Sequence, residues 1–71
     1  MPMVKEFWKT HCPMQAQLAG GRWLIIPQGE TFEVAYRSDN GDARIFWPGN
    51  HEGLGGATVS AGDLEHCARP V

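Results

Sequence analysis

The chain has 71 residues, 42% of them apolar and 20% charged, with six basic and eight acidic side chains and a formal charge of −2. This composition excludes a disordered chain, the length excludes more than one domain, and charges spread along the chain exclude the basic stripe of a typical nucleic-acid surface. The longest fully apolar run, Trp23–Ile26, falls far short of the ~20 residues that cross a bilayer. Met1-Pro2-Met3-Val4-Lys5-Glu6 lacks the order of a secretory signal, so a cytoplasmic protein with no membrane partner is expected.

Pro2 suits a first helical position, Val4, Phe7 and Trp8 recur at helical spacing, and Pro13 ends the pattern. These features predict an N-terminal helix over residues 2–12. Its Phe7/Trp8 face either docks on the rest of the chain or is displayed to a partner. Met14–Leu18 alternates Met14, Ala16 and Leu18 against Gln15 and Gln17 and reads as a first, edge-like strand leading to the Gly20-Gly21 turn.

Arg22–Trp47 holds three apolar, β-branched and aromatic runs separated by turn residues, which reads as a meander of antiparallel strands. Arg22–Ile26 is expected to be buried on both sides for part of its length. Pro27 then takes the second position of a type I turn, with Gly29 in its fourth. Thr31–Arg37 has the cleanest alternation, with Phe32, Val34 and Tyr36 facing the core. Asn40-Gly41 signals a short hairpin, which pairs Thr31–Arg37 with Ala43–Trp47. In that second strand Ala43, Ile45 and Trp47 face inward, while Arg44 and Phe46 face outward. Phe46, an aromatic on the outer face, requires a cover.

Pro48–Gly56 reads as a loop because of its glycines, Pro48 and Asn50. Ala57-Thr58-Val59 is a short strand, and Ser60 and Asp63 have the spacing of a helix cap. Gly62 in the first turn disfavours a long helix. The expectation is a single turn, then a short strand within Leu64–Ala68, then a tail at Arg69-Pro70-Val71.

The strand and proline-glycine turn at Trp23–Gly29, the hairpin at Thr31–Trp47, and a short strand followed by Ser60-Ala61-Gly62-Asp63-Leu64-Glu65 together resemble the SH3-like small-barrel superfold, including its KOW and Tudor types. The resemblance covers about residues 21–67. It implies a mainly β fold: an SH3-like barrel or strongly bent antiparallel sheet of five to six strands over 14–68, in a single domain of residues 1–71. It also implies a binding module that meets peptides, nucleic acids or copies of itself through loops and an open face.

Candidate chemistry is sparse. His11-Cys12 and His66-Cys67 carry zinc-type ligands, yet adjacent residues on a strand point to opposite faces. That quartet is therefore the lesser alternative to having no metal at all. Cys12 and Cys67 are expected to be free thiols in a reducing compartment; in an exported protein one bridge between them would close the domain. An adjacent His–Cys pair does not supply the geometry of nucleophilic catalysis, so a non-catalytic protein without cofactor is expected. The glycine loop lacks the lysine of a phosphate cradle and carries Glu52 instead. Arg22, Arg37 and Arg44, interleaved with Glu30, Glu33 and Asp42, are expected to form cross-strand ion pairs rather than a nucleic-acid surface.

By elimination, the expected function is binding of another macromolecule, most readily a protein. The contacts would come from Tyr36, Phe46 and Trp47 together with Asn50, His51, Glu52 and Leu54 of the loop. Nucleic-acid binding and a homo-oligomer with a site at its subunit interface are the alternatives. By analogy of size and style, such a chain suits an accessory protein of a phage, plasmid or other mobile element.

Overall fold

Alternating burial organises the chain. In the computed structural model, which describes residues 6–49 and 56–71, period-two patterns generate seven strands and one short helix. The strands are β1 (Glu6–Thr10), β2 (Met14–Leu18), β3 (Trp23–Ile26), β4 (Thr31–Arg37), β5 (Ala43–Phe46), β6 (Ala57–Val59) and β7 (Ala68–Pro70); α1 spans Ala61–Cys67. They form one sheet in the order β3-β2-β6-β5-β4-β1-β7, every pairing antiparallel and the two ends unjoined. The fold is thus mainly β; where a barrel or bent antiparallel sheet of five to six strands is expected, the sheet is open and has seven strands.

One connection forces this open sheet to curl. β1 and β2 lie four strand steps apart, which would be ~19 Å in a flat sheet. Thr10 and Met14, however, are separated by four peptide links and reach at most ~14 Å. The sheet therefore wraps its inner face around the core. Across that face, Leu18, Ala57, Ile45 and Val34 line up in register on four neighbouring strands, and all four are buried. Phe32, Met14, Ile26 and Val59 fill the remainder, and Leu64 of α1 plugs it with no exposed surface.

Thr10 locks the curl. Its N–H donates to the Glu30 carbonyl at 2.9 Å, and its own carbonyl accepts from the Gly29 N–H at 2.9 Å. Its hydroxyl donates to the Pro27 carbonyl at 2.7 Å and accepts from the Glu30 N–H at 3.0 Å. The end of β1 thereby holds the turn that carries the chain from β3 to β4.

Several expectations are corrected. Residues 6–10 of the expected N-terminal helix form a strand, because β1 satisfies its backbone against both β4 and β7. Trp8 goes inward and Phe7 outward, where a helix would have placed them side by side. The meander also fails: β4 and β5 form a hairpin, but β3 pairs only with β2 at the far end of the sheet. β2 is interior and β3 is the edge, so Trp23 and Ile25 are exposed where two-sided burial was expected.

Tyr36 is outward, 64% exposed. The pairing slips between Val34 and Tyr36, and this bulge at Ala35 reverses the alternation. Arg37 is turned toward the inner rim, where its guanidinium lies 5.7 Å from the centre of the Trp8 ring. The turn runs from Pro27 to Glu30 and places Gly29, with φ +89°, third, where this conformation is called for, and not fourth in a type I turn. The β4–β5 hairpin closes through Ser38–Gly41, with Gly41 at φ +90°. Asn40 keeps a negative φ, so this is a turn with a following left-handed glycine and not the two-residue form.

At the C-terminal end, Ser60 caps as its spacing indicates, its hydroxyl accepting from the Asp63 N–H at 3.2 Å. The helix then continues through Cys67 instead of stopping after one turn. Burial of Leu64 and Cys67 on one face outweighs the ~1 kcal/mol propensity cost of Gly62. The expected tail is strand β7, and the Val71 N–H extends its ladder by donating to the Phe7 carbonyl at 2.8 Å.

Two substitutions test this reading by denaturant unfolding. Thr10→Val, which keeps the shape of a side chain only 2% exposed, should cost about 1 kcal/mol by removing its bonds to the part-buried Pro27 carbonyl and Glu30 N–H. Gly62→Ala should stabilise by about 0.5–1 kcal/mol, since nothing lies within 4 Å of the added methyl.

Candidate interaction groove

The outward face of β1, β4 and β5 carries a mostly apolar groove. Register places Phe7 opposite Glu33 and Glu33 opposite Phe46, so two phenyl rings flank one carboxylate in a row across three strands. Phe7 is 47% and Phe46 42% exposed. Trp47 follows Phe46 out of β5 and is half-buried; its indole N–H donates to the Glu30 carboxylate at 3.2 Å, which fixes the ring. Pro48 and Gly56 complete the rim of a groove of about 360 Å³.

Gly56 is a structural requirement of this site. At φ +86°, a Cβ here would sit 2.5 Å from the Ile45 carbonyl and 3.0 Å from the Phe46 ring. A side chain there would strain the backbone and displace Phe46. Glu33 is half-buried between the rings, and no hydrogen bond or ion pair engages its carboxylate among the described residues. The groove thus offers apolar walls and one negative charge.

Of the residues expected to bind a partner, Phe46 and Trp47 meet in this groove. Tyr36 does not join them: it lines a separate shallow hollow with Ser38, Asp42, Arg44 and Thr58 on the same outward face. Asn50, His51, Glu52 and Leu54 lie outside the described residues. In the sequence Phe7 is legible only as part of a helical Phe7/Trp8 face, docked or displayed to a partner, and Glu33 is not among the expected contacts. A strand over residues 6–10 turns Phe7 outward, and the alternation of Thr31–Arg37 already puts Glu33 on the outer face. Of the three arginines, Arg22 precedes β3, away from β4 and β5, and the Arg37 guanidinium lies over the Trp8 ring.

A second, more open concavity of about 490 Å³ lies at the β1–β7 edge, lined by Lys9, His11, Gln28 and Arg69 among others. Lys9 and Arg69 face each other directly across the two strands, an arrangement that repels unless an anion bridges it.

The cysteines meet near the end of α1. The His11 N–H donates to the Cys67 carbonyl at 2.8 Å, which brings the thiols of Cys12 and Cys67 together as a free pair. The hydrogen bond with Cys12, and then burial, push the Cys67 thiol up to about 11. His66 and His11 do not join them in a metal site: no group of three or more potential ligands converges among the described residues. No described helix is long and apolar enough to cross a membrane.

Comparison with protein-family models, curated proteins and solved structures finds no match to this chain.

The Cys67 shift has a definite sign. A folded-state pKa above the unfolded one adds stability that is complete below the ordinary value of 9.0 and is lost as pH rises through about 11. Urea unfolding across that window should show stability falling in the wild type and falling less in Cys67→Ala. Equal slopes would remove the thiol pair as the cause.

Proposed function

We propose that this protein is a non-catalytic binding module that docks an extended segment of another protein in the Phe7–Glu33–Phe46 groove. The observation that supports it is the cross-strand row itself, with two outward aromatic rings around a carboxylate that no described residue engages. Exposed aromatics around a concavity mark interaction sites more readily than scattered surface apolar residues do. The walls select an aliphatic or aromatic side chain, and Glu33 selects a lysine or arginine next to it in the partner. Trp47, held by Glu30, forms one side of the groove, and Tyr36 extends the same face toward β6.

A peptide library of extended sequences pairing an apolar residue with a lysine tests the specificity directly. Phe46→Ala should weaken the best binder by roughly tenfold or more, as expected for a central aromatic anchor. Glu33→Gln should weaken lysine-containing peptides and leave their norleucine analogues unchanged. Binding unaffected by both substitutions would defeat the reading.

Lys9 facing Arg69, with His11 beside them, favours a second reading: that the β1–β7 edge contacts phosphate groups of a nucleic acid. Affinity for single- or double-stranded DNA or RNA that falls steeply with salt and is lost in Arg69→Ala would support it. The absence of any binding at low salt would remove it.

A further inference from the structure

We infer that β3 is the seat of a two-fold dimer, formed when the β3 strands of two copies of this chain pair antiparallel and join their sheets edge to edge. The two ends of the sheet are built differently. β7 carries Arg69 and Pro70 within three residues, and both are devices that discourage strand addition. β3 has neither: Trp23-Leu24-Ile25-Ile26 contains no charge, and Trp23 and Ile25 are 63% and 53% exposed on its outward face.

The hydrogen-bond pattern shows which groups need a partner. The Leu18 N–H donates to the Arg22 carbonyl at 2.7 Å, so Leu18 and Arg22 are a hydrogen-bonded pair. In the β2–β3 register, Ala16 with Leu24 and Met14 with Ile26 then repeat that pattern. Trp23 and Ile25 fall between them, and their N–H and C=O groups point to the open edge.

One register satisfies these groups with a second copy. Placing Leu24 on the two-fold axis sets Trp23 opposite Ile25 of the other copy, and Ile25 opposite its Trp23. Both are then hydrogen-bonded pairs, so each outward N–H meets an outward C=O. The same register brings the exposed Trp23 and Ile25 side chains to ~5.5 Å across the junction, each covering the other's apolar surface. Leu24, half-buried, meets its own copy on the inner face. Arg22 falls opposite Ile26, which keeps the two Arg22 side chains ~14 Å apart along the strand, beyond the ~8–10 Å over which salt leaves charges in contact. A shift by one residue would face the outward groups of one strand with the inward-bonded groups of the other. The edge is therefore complementary to itself in hydrogen bonds, apolar surface and charge.

Sedimentation equilibrium and amide hydrogen exchange on the full chain test this together. The wild type should sediment at twice the chain mass and dissociate on dilution, with the Trp23 and Ile25 amides protected at high concentration only. Ile25→Lys places a cation at the junction in a half-exposed position; Ile25→Pro deletes an outward N–H without touching the β2 ladder. Both should be monomers with an unchanged circular dichroism spectrum, while Phe46→Ala remains dimeric. A wild-type monomer at millimolar concentration overturns the inference, as does a dimer in which the Trp23 and Ile25 amides exchange freely. Protection of those amides in a monomer by an added foreign strand peptide would overturn it too, and would assign the edge to a different protein.

Discussion

The architecture depends on the attachment of Thr10 to the turn between β3 and β4. Its backbone and hydroxyl together hold Pro27, Gly29 and Glu30, so one residue at the end of β1 fixes where the chain leaves the β2–β3 half of the sheet and enters β4. The short β1–β2 link bends the sheet, and Thr10 sets how far it bends. The enclosed core follows from that: Leu18, Ala57, Ile45 and Val34 form a continuous inner row under a helix that contributes Leu64. The same curl turns the opposite face outward and gives it its features.

Curvature and register together create the groove. Phe7, Glu33 and Phe46 align only because β1 and β5 flank β4. The bulge at Ala35 divides that face, leaving Tyr36 and Arg44 in a hollow of their own and sending Arg37 to the Trp8 ring. Glu30 belongs to both halves of the structure. Its backbone is tied to Thr10, and its carboxylate holds the Trp47 indole at the rim. The interaction that shapes the sheet therefore also positions part of the groove.

The sheet's two ends separate two kinds of contact. The β7 end is short, carries a proline and is cationic with Lys9 alongside; the β3 end is apolar and open. A module that docks a partner segment in a groove on one part of its face and pairs with itself at a distant edge would present two grooves in one assembly. Two linked sites raise the effective concentration of a repeated partner without any new contact.

Much of this was legible in the sequence where local chemistry governs. β2, the β4–β5 hairpin, β6 and the Ser60 cap follow from period-two patterning, turn glycines and side-chain capping, all of which act between near neighbours. Phe46 was readable as an outward aromatic from its place between Ile45 and Trp47. Tertiary structure decided the rest, for physical reasons. Residues 6–10 are a strand because β4 and β7 offer partners on both sides, which a local apolar pattern at Phe7 and Trp8 cannot report. β3 lies far from β4 because strand order is set by long-range pairing, and the bulge at Ala35 comes from pairing as well. By itself the sequence determined a small β domain with its helix cap; pairing between distant segments decided its open, curled sheet, the Phe7–Glu33–Phe46 row and the bare edge at β3.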